Sequence, residues 1–373
     1  MSRLKIIDLR SDTVTKPDDA MRGVIMNAIV GDHGYEEDET TLELEKYCAN
    51  LFNKEAALFM PSGTMSNQIA IRCYTNPGDE IILDASYHIN YFEAGPTVDL
   101  GKVYLNLCNT DDGVLRISDI EKAFLNKHRS ALYNYPTLIC LENTINTYGG
   151  KIFPFEILKE IFEYSRDQQL PIHIDGARIL NACAATGIAP QAYAAYCDSI
   201  TICFSKGLGA PFGSILMGTQ SLIANANKFR KWYGGGMHQS GFMAAAALHA
   251  IKHNISSLAL DNNHAKLLAL LLKDNHFLNV SPENVDTNIV MLDTSRLKVE
   301  AVDFIQMAKK EGLLLYPWSK YMARAVTHKN IDEIDIRNAA VIVNNITDNI
   351  QNQKLACNSR FMPDIVHYEK GSR

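Results

Sequence analysis

The sequence has no apolar run near the roughly 20 residues that a membrane span requires. Its first residues, MSRLKIIDLRSD, hold too short an apolar stretch for a secretory signal. It has no excess of positive charge: 36 Lys and Arg face 42 Asp and Glu, a net charge of -6. That balance argues against nucleic acid as a partner, and no membrane is expected to be one. None of the eight cysteines forms a C-x-x-C pair, so neither a zinc site nor a disulfide framework is expected. Most lie in apolar runs, as buried thiols of a reducing compartment do, and a cytoplasmic setting follows as the expectation. There is no G-x-x-x-x-G-K-[ST] loop, no strand-borne G-x-G-x-x-G, no internal repeat and no low-complexity segment. A nucleotide is therefore a poor candidate ligand.

What is present is a chain of 373 residues, 47% hydrophobic and 21% charged, too long for one small core. Between about residues 55 and 218, short apolar runs alternate with helix-like stretches. The strand candidates are Ala56–Met60, Glu80–Leu83, Val103–Leu107, Leu138–Glu142, Ile172–Asp175, Ile200–Phe204 and Ile215–Met217. Met65–Tyr74 and Ile157–Arg166 read as helices between them. This order predicts an α/β fold, a mainly parallel seven-stranded sheet covered by helices. After about residue 255 the pattern turns to helices with a few strands (Ile289–Leu292, Leu313–Tyr316, Ala325–Thr327), which predicts a smaller α+β domain. The expected division is 1–254 for an N-terminal segment and large domain, 255–350 for the small domain, and 351–373 for a C-terminal extension.

Several strand candidates end on polar groups, and ligands of such sheets bind beyond the carboxyl ends of the strands. Ser205-Lys206 follows one of these runs and opens the loop GLGAPFG. A lysine flanked by apolar residues and glycine is partly desolvated, which suits it to a Schiff base. Asp175, in HIDGAR, ends another strand 31 residues earlier. It is either a helix cap or a buried carboxylate facing a protonated ring nitrogen. Pyridoxal 5′-phosphate needs both a lysine and such an aspartate. Pro61-Ser62-Gly63-Thr64 opens a helix after a strand; Ser62 or Thr64 would cap it, and its free N–H groups suit a phosphate. Arg178 and Arg324 are candidates for a substrate carboxylate, which arginine holds bidentately. His88 is either a core histidine or a group that stacks on a ring.

The motifs IDLRSDTVTKP, PSGT, FEAG, LENT, HIDGARILNA, DSITICFSKGLGAPFGS, RKWYGGGMHQSG and RAVTH resemble one family. It is the pyridoxal-phosphate-dependent, low-specificity L-threonine aldolases of the β-eliminating lyase superfamily, with the aspartate-aminotransferase-like fold (fold type I). The resemblance spans about residues 6–345. It implies a lyase that cleaves β-hydroxy-α-amino acids to glycine and an aldehyde. It implies that Lys206 carries the cofactor, Asp175 pairs with its ring nitrogen, Gly63 and Thr64 hold the phosphate, and His88 stacks on the ring. Ser11, Arg178 and Arg324 would hold the substrate carboxylate, and Tyr35 would line the site. The glycine-rich segment with Lys231 and His238 would approach the phosphate from a neighbouring subunit, in a homodimer or homotetramer with shared sites. The chain departs from the family where Ile145 replaces a histidine of LENTHN near the β-hydroxyl, where His238 replaces an arginine, and at Glu36 and Glu39. Ile145 predicts weaker action on threonine than on other β-hydroxy amino acids. A racemase or β-eliminating lyase working by Cα–H abstraction would use the same cofactor groups.

Overall fold

A computed structural model describes residues 5–125 and 134–359. The chain enters through β1 (Ile7–Asp8). Seven strands then build the large sheet: β2 (Ala56–Met60), β3 (Glu80–Asp84), β4 (Tyr104–Cys108), β5 (Pro136–Glu142), β6 (Ile172–Asp175), β7 (Ser199–Cys203) and β8 (Ser214–Gly218). Their spatial order is β2-β8-β7-β6-β5-β3-β4. Only β8 runs against the rest. Each run expected from the sequence is a strand of this sheet, with ends shifted by no more than two residues.

These strands read as continuous apolar runs because helices cover both faces of the sheet. Every residue of β6, β7 and β8 is buried. At roughly 1.5–3 kcal/mol for each large aliphatic side chain removed from water, this core dominates the stability of the chain. A glycine permits one close crossing. Gly213, at φ +100°, would place a Cβ 2.5 Å from the Phe59 ring, so the turn into β8 accepts no larger residue.

The small sheet has the order β11-β12-β9, from β9 (Ile289–Asp293), β11 (Tyr316–Ser319) and β12 (Met322–Val326). The expected strand Leu313–Tyr316 divides instead. Its first part, β10 (Leu313–Leu314), pairs in parallel with β1, over three hundred residues away in sequence. Ile7 and Leu9 thereby join the core of the small sheet, while Asp12 and Thr15 bond Arg178 and Lys206, just beyond strands of the large one. The long helix Glu333–Ser359 continues past residue 350, and the rest of the expected extension, 360–373, lies outside the described residues. Among the described residues, no helix is long and apolar enough to cross a membrane.

Candidate active site

β7 delivers Lys206 to the carboxyl edge of the large sheet. Phe204 is fully buried, and its N–H donates to the Gly213 carbonyl at 3.0 Å, closing the loop between β7 and β8. Lys206 sits half-buried inside that loop, its carbonyl accepting from Thr15 Oγ1 at 3.1 Å. Among the described residues, its Nζ has no hydrogen bond or ion pair. An amine held at a sheet edge without a carboxylate partner is available for chemistry.

Asp175 ends β6, the neighbouring strand, with Thr201 of β7 as its register partner. Its carboxylate accepts from Asn67 Nδ2 at 2.8 Å and from the Ala177 N–H at 3.0 Å. Burial by itself would raise its pKa. The positive fields of His88 and Lys206 and the Asn67 bond outweigh that and hold the carboxyl below the usual range. Asp175 is therefore an ionised acceptor at the floor of a cleft of about 240 Å³. The same cleft is lined by Ser62, Gly63, Thr64, His88, Ser205 and Lys206.

The helix Gly63–Tyr74 points its N-terminus at this cleft. Ser62 is its cap, accepting from the Met65 N–H at 3.2 Å. A Cβ on Gly63 would lie 2.8 Å from Cys203 Sγ, so only glycine lets the helix start this close to β7. Free N–H groups at a helix N-terminus and the positive end of its dipole suit an anion.

His88 opens a short helical turn beside the cleft. Its Nδ1 lies 2.8 Å from Glu93 Oε1, and its backbone N–H donates to Glu142. Burial lowers its pKa, but the Glu93 bond and the field of Asp175 prevail, and the net shift is upward. Glu142, at the end of β5, also accepts the Asn146 N–H at 2.8 Å. Burial and the nearby Asp175 push its carboxyl up.

Two arginines converge at the other end of the site. Arg178 meets Asp12 fork to fork, with Nε and Nη2 each 2.7 Å from a carboxylate oxygen. Its Nη1 lies 3.5 Å from Asn146 Oδ1, and Arg324 Nη1 lies 3.1 Å from the same oxygen. Arg324 comes from β12, is 7% exposed, and has no carboxylate partner among the described residues. Its Nη2 donates to the Arg10 carbonyl, and its Nε donates to nothing. Burial and the nearby Arg178 lower its pKa to about 10. Two buried guanidiniums against one carboxylate leave a positive excess, which fits a bound anion.

Comparison with known proteins follows this geometry. A family model described as β-eliminating lyase matches residues 8–295. The chain belongs to the β-eliminating lyase family. Low-specificity L-threonine aldolase 1 of Arabidopsis thaliana is 38% identical, over 89% of this chain and 94% of the relative. The low specificity L-threonine aldolase of Escherichia coli K12 is 37% identical, over 90% of this chain and 97% of its own length. The structure of Leishmania major threonine aldolase superimposes with a TM-score of 0.78 at 20% identity, covering 91% of this chain and 99% of that one.

The fold gathers some of the family-matched positions and leaves others apart. Ser11 lies beside Asp12 and caps a short turn, accepting from the Thr13 N–H at 3.2 Å. Tyr35 is 79% exposed and does not line the cleft of its own chain. Lys231, in the last turn of the helix Gln220–Trp232, and His238, beyond it, are exposed as well; His238 Nδ1 lies 2.8 Å from Asp32, which caps the turn carrying Tyr35. Ile145 is fully buried, and its Cγ2 packs over Gly113. Residue-by-residue reading missed Asp12, Asn67, Glu93, Glu142 and Asn146. Each stands in or beside a quoted motif; Glu93 meets His88 five residues earlier, and the others act through partners remote in sequence.

Proposed function

We propose that this chain cleaves β-hydroxy-α-amino acids, threonine and allo-threonine among them, into glycine and an aldehyde, with pyridoxal 5′-phosphate held at Lys206. The reading rests on one convergence: an unpartnered lysine, an ionised buried aspartate and a helix N-terminus around one cleft, with Arg324 buried nearby and unneutralised. The residues fit the cofactor. Lys206 would bond its aldehyde carbon, Asp175 would accept from its ring nitrogen, and the start of the helix Gly63–Tyr74 would hold its phosphate. When bound, the cofactor supplies an electron sink for the pair left as Cα–Cβ breaks.

The side chains divide the remaining work. Arg324 and Arg178, with Ser11, would fix the substrate carboxylate and so decide which bond at Cα is presented for cleavage. Glu93 holds His88 through Nδ1, which leaves Nε2 as the free ring nitrogen. In the neutral ring that nitrogen can take the β-hydroxyl proton, a positioned base worth roughly 10²–10⁴-fold. The exposed surface carrying Tyr35, Lys231 and His238 would meet a second copy in a homodimer or homotetramer, with Lys231 reaching that copy's phosphate end. The seven described cysteines are all unpaired, which supports a cytoplasmic setting.

The test is to incubate purified protein with threonine, allo-threonine and non-hydroxylated amino acids while following aldehyde, α-keto acid and α-proton exchange. Aldehyde with glycine is expected. Keto acid alone would point to a β-eliminating lyase, and exchange alone to a racemase. Lys206→Ala is expected to lose the visible absorbance of the holoenzyme along with activity.

A further inference from the structure

β12 and β11 pair antiparallel, with Arg324 opposite Tyr316. The register then slips between Pro317 and Ser319, so Trp318 is the extra residue of a β-bulge. A bulge turns the side chain it carries away from the regular pleat. Here it brings Trp318 over Arg324, with the guanidinium carbon 4.8 Å from the indole centroid and 5.1 Å from that of Tyr316.

Covering a cation is only part of what Trp318 does. Its ring also stacks on Tyr91 of the large-sheet region, with centroids 5.8 Å apart and planes 8° from parallel. It meets Phe92 edge-on at 5.9 Å, and Phe92 in turn lies 4.9 Å from the His88 ring. An unbroken aromatic surface therefore runs from His88, at the cleft, to Arg324, at the carboxylate end. Tyr91, Phe92 and Tyr316 are each 41–53% exposed, so the surface is not core. Half-exposed aromatic groups clustered beside a functional cleft mark a contact face.

We propose that Tyr91, Phe92, Tyr316 and Trp318 form the wall that receives the substrate's β-substituent, and that Trp318 sets a preference for aromatic over small substituents. The proposal rests on the reading of the site given above. A substrate held by its amine near Lys206 and its carboxylate at Arg324 projects its side chain from Cα away from both anchors. The aromatic surface, which touches His88 at one end and Arg324 at the other, is the apolar face offered to it. A planar substituent would gain face or edge contacts there that a methyl group cannot make.

Calorimetric titration of the holoenzyme with L-phenylalanine and L-alanine tests this without requiring any bond within the ligand to be cleaved. Phenylalanine is expected to bind about tenfold tighter or more, the size of discrimination an apolar site provides. Trp318→Leu, which keeps apolar cover over Arg324, should reduce that ratio by roughly fivefold to tenfold. Tyr91→Ala should reduce it in the same direction. Equal losses for both ligands would mean that Trp318 only supports Arg324, and would overturn the proposal, as would an unchanged ratio in both variants. Aldehyde release from threonine and from β-phenylserine is measured in parallel. A protein that releases neither aldehyde, yet keeps the binding ratio and its dependence on Trp318, would refute the aldolase reading and leave the wall standing.

Discussion

Arg178 and Asp12 are joined by two parallel contacts of 2.7 Å, with Asp12 wholly buried and Arg178 nearly so. The N-terminal segment is thereby fastened under the helix Ile179–Thr186, whose cap position Arg178 occupies. Burial would raise the Asp12 pKa, but Arg178 and Lys206 hold the carboxyl well below the usual range. Its folded value lies under its unfolded value. The pair's contribution is thus complete above about pH 4 and fades only as acid protonates the folded carboxylate. Asp12→Ala leaves a buried guanidinium without a counterion and should cost about 3–5 kcal/mol at neutral pH. Urea unfolding of the two proteins measures this, and a cost below about 1 kcal/mol would show the pair to be solvated.

Arg324 has the opposite situation, a buried cation with no carboxylate partner among the described residues, for which we propose the substrate carboxylate as counterion. Arg324→Ala should weaken glycine binding by about tenfold to a hundredfold, the range expected for charge-assisted hydrogen bonds. Arg324→Lys should restore little, because an ammonium lacks the planar fork. Titration of the holoenzyme with glycine is the measurement. Unchanged affinity in the alanine variant removes Arg324 from the carboxylate site.

The large sheet was legible in the sequence because doubly covered strands are apolar from end to end, and their polar exits mark the functional edge. Lys206, Asp175 and Gly63 were readable for that reason. Asn67, Glu93 and Glu142 were not. Asn67 lies inside a helix and finds Asp175 more than a hundred residues later, a pairing that no local pattern announces. Trp318 was hidden by a one-residue slip in register, which alternation along the strand cannot reveal. Tyr35, Lys231 and His238 came from resemblance alone, and within one chain they lie on the surface rather than in the cleft.

His88 and Glu93 make the pH dependence of turnover predictable. Glu93 favours the charged imidazole, so the His88 pKa lies above its ordinary value. A base must be neutral, so kcat should fall as pH drops through that raised value. Glu93→Gln removes the anion and leaves burial, which lowers the pKa. The acid limb of the kcat profile should therefore move to lower pH. A limb that stays in place would assign it to another group.

Asp261 gives a prediction about stability rather than turnover. It is 1% exposed, and among the described residues its Oδ2 has no hydrogen-bond partner. A Cβ on Gly207, next to Lys206, would lie 3.7 Å from that oxygen. Burial and the nearby Asp12 raise its pKa to about 7. The folded state thus binds this proton more tightly than the unfolded chain, whose aspartates titrate near 4. Stability from this group is complete below about pH 4 and is lost progressively as pH rises to about 7. Asp261→Asn removes the titration and should be more stable than the parent at pH 8 by on the order of 2 kcal/mol, discounted from the full linkage value. At pH 5 most of that difference should vanish. Thermal unfolding of both proteins across this range decides the matter: a stability difference that does not vary with pH would mean that Asp261 is already partnered in solution.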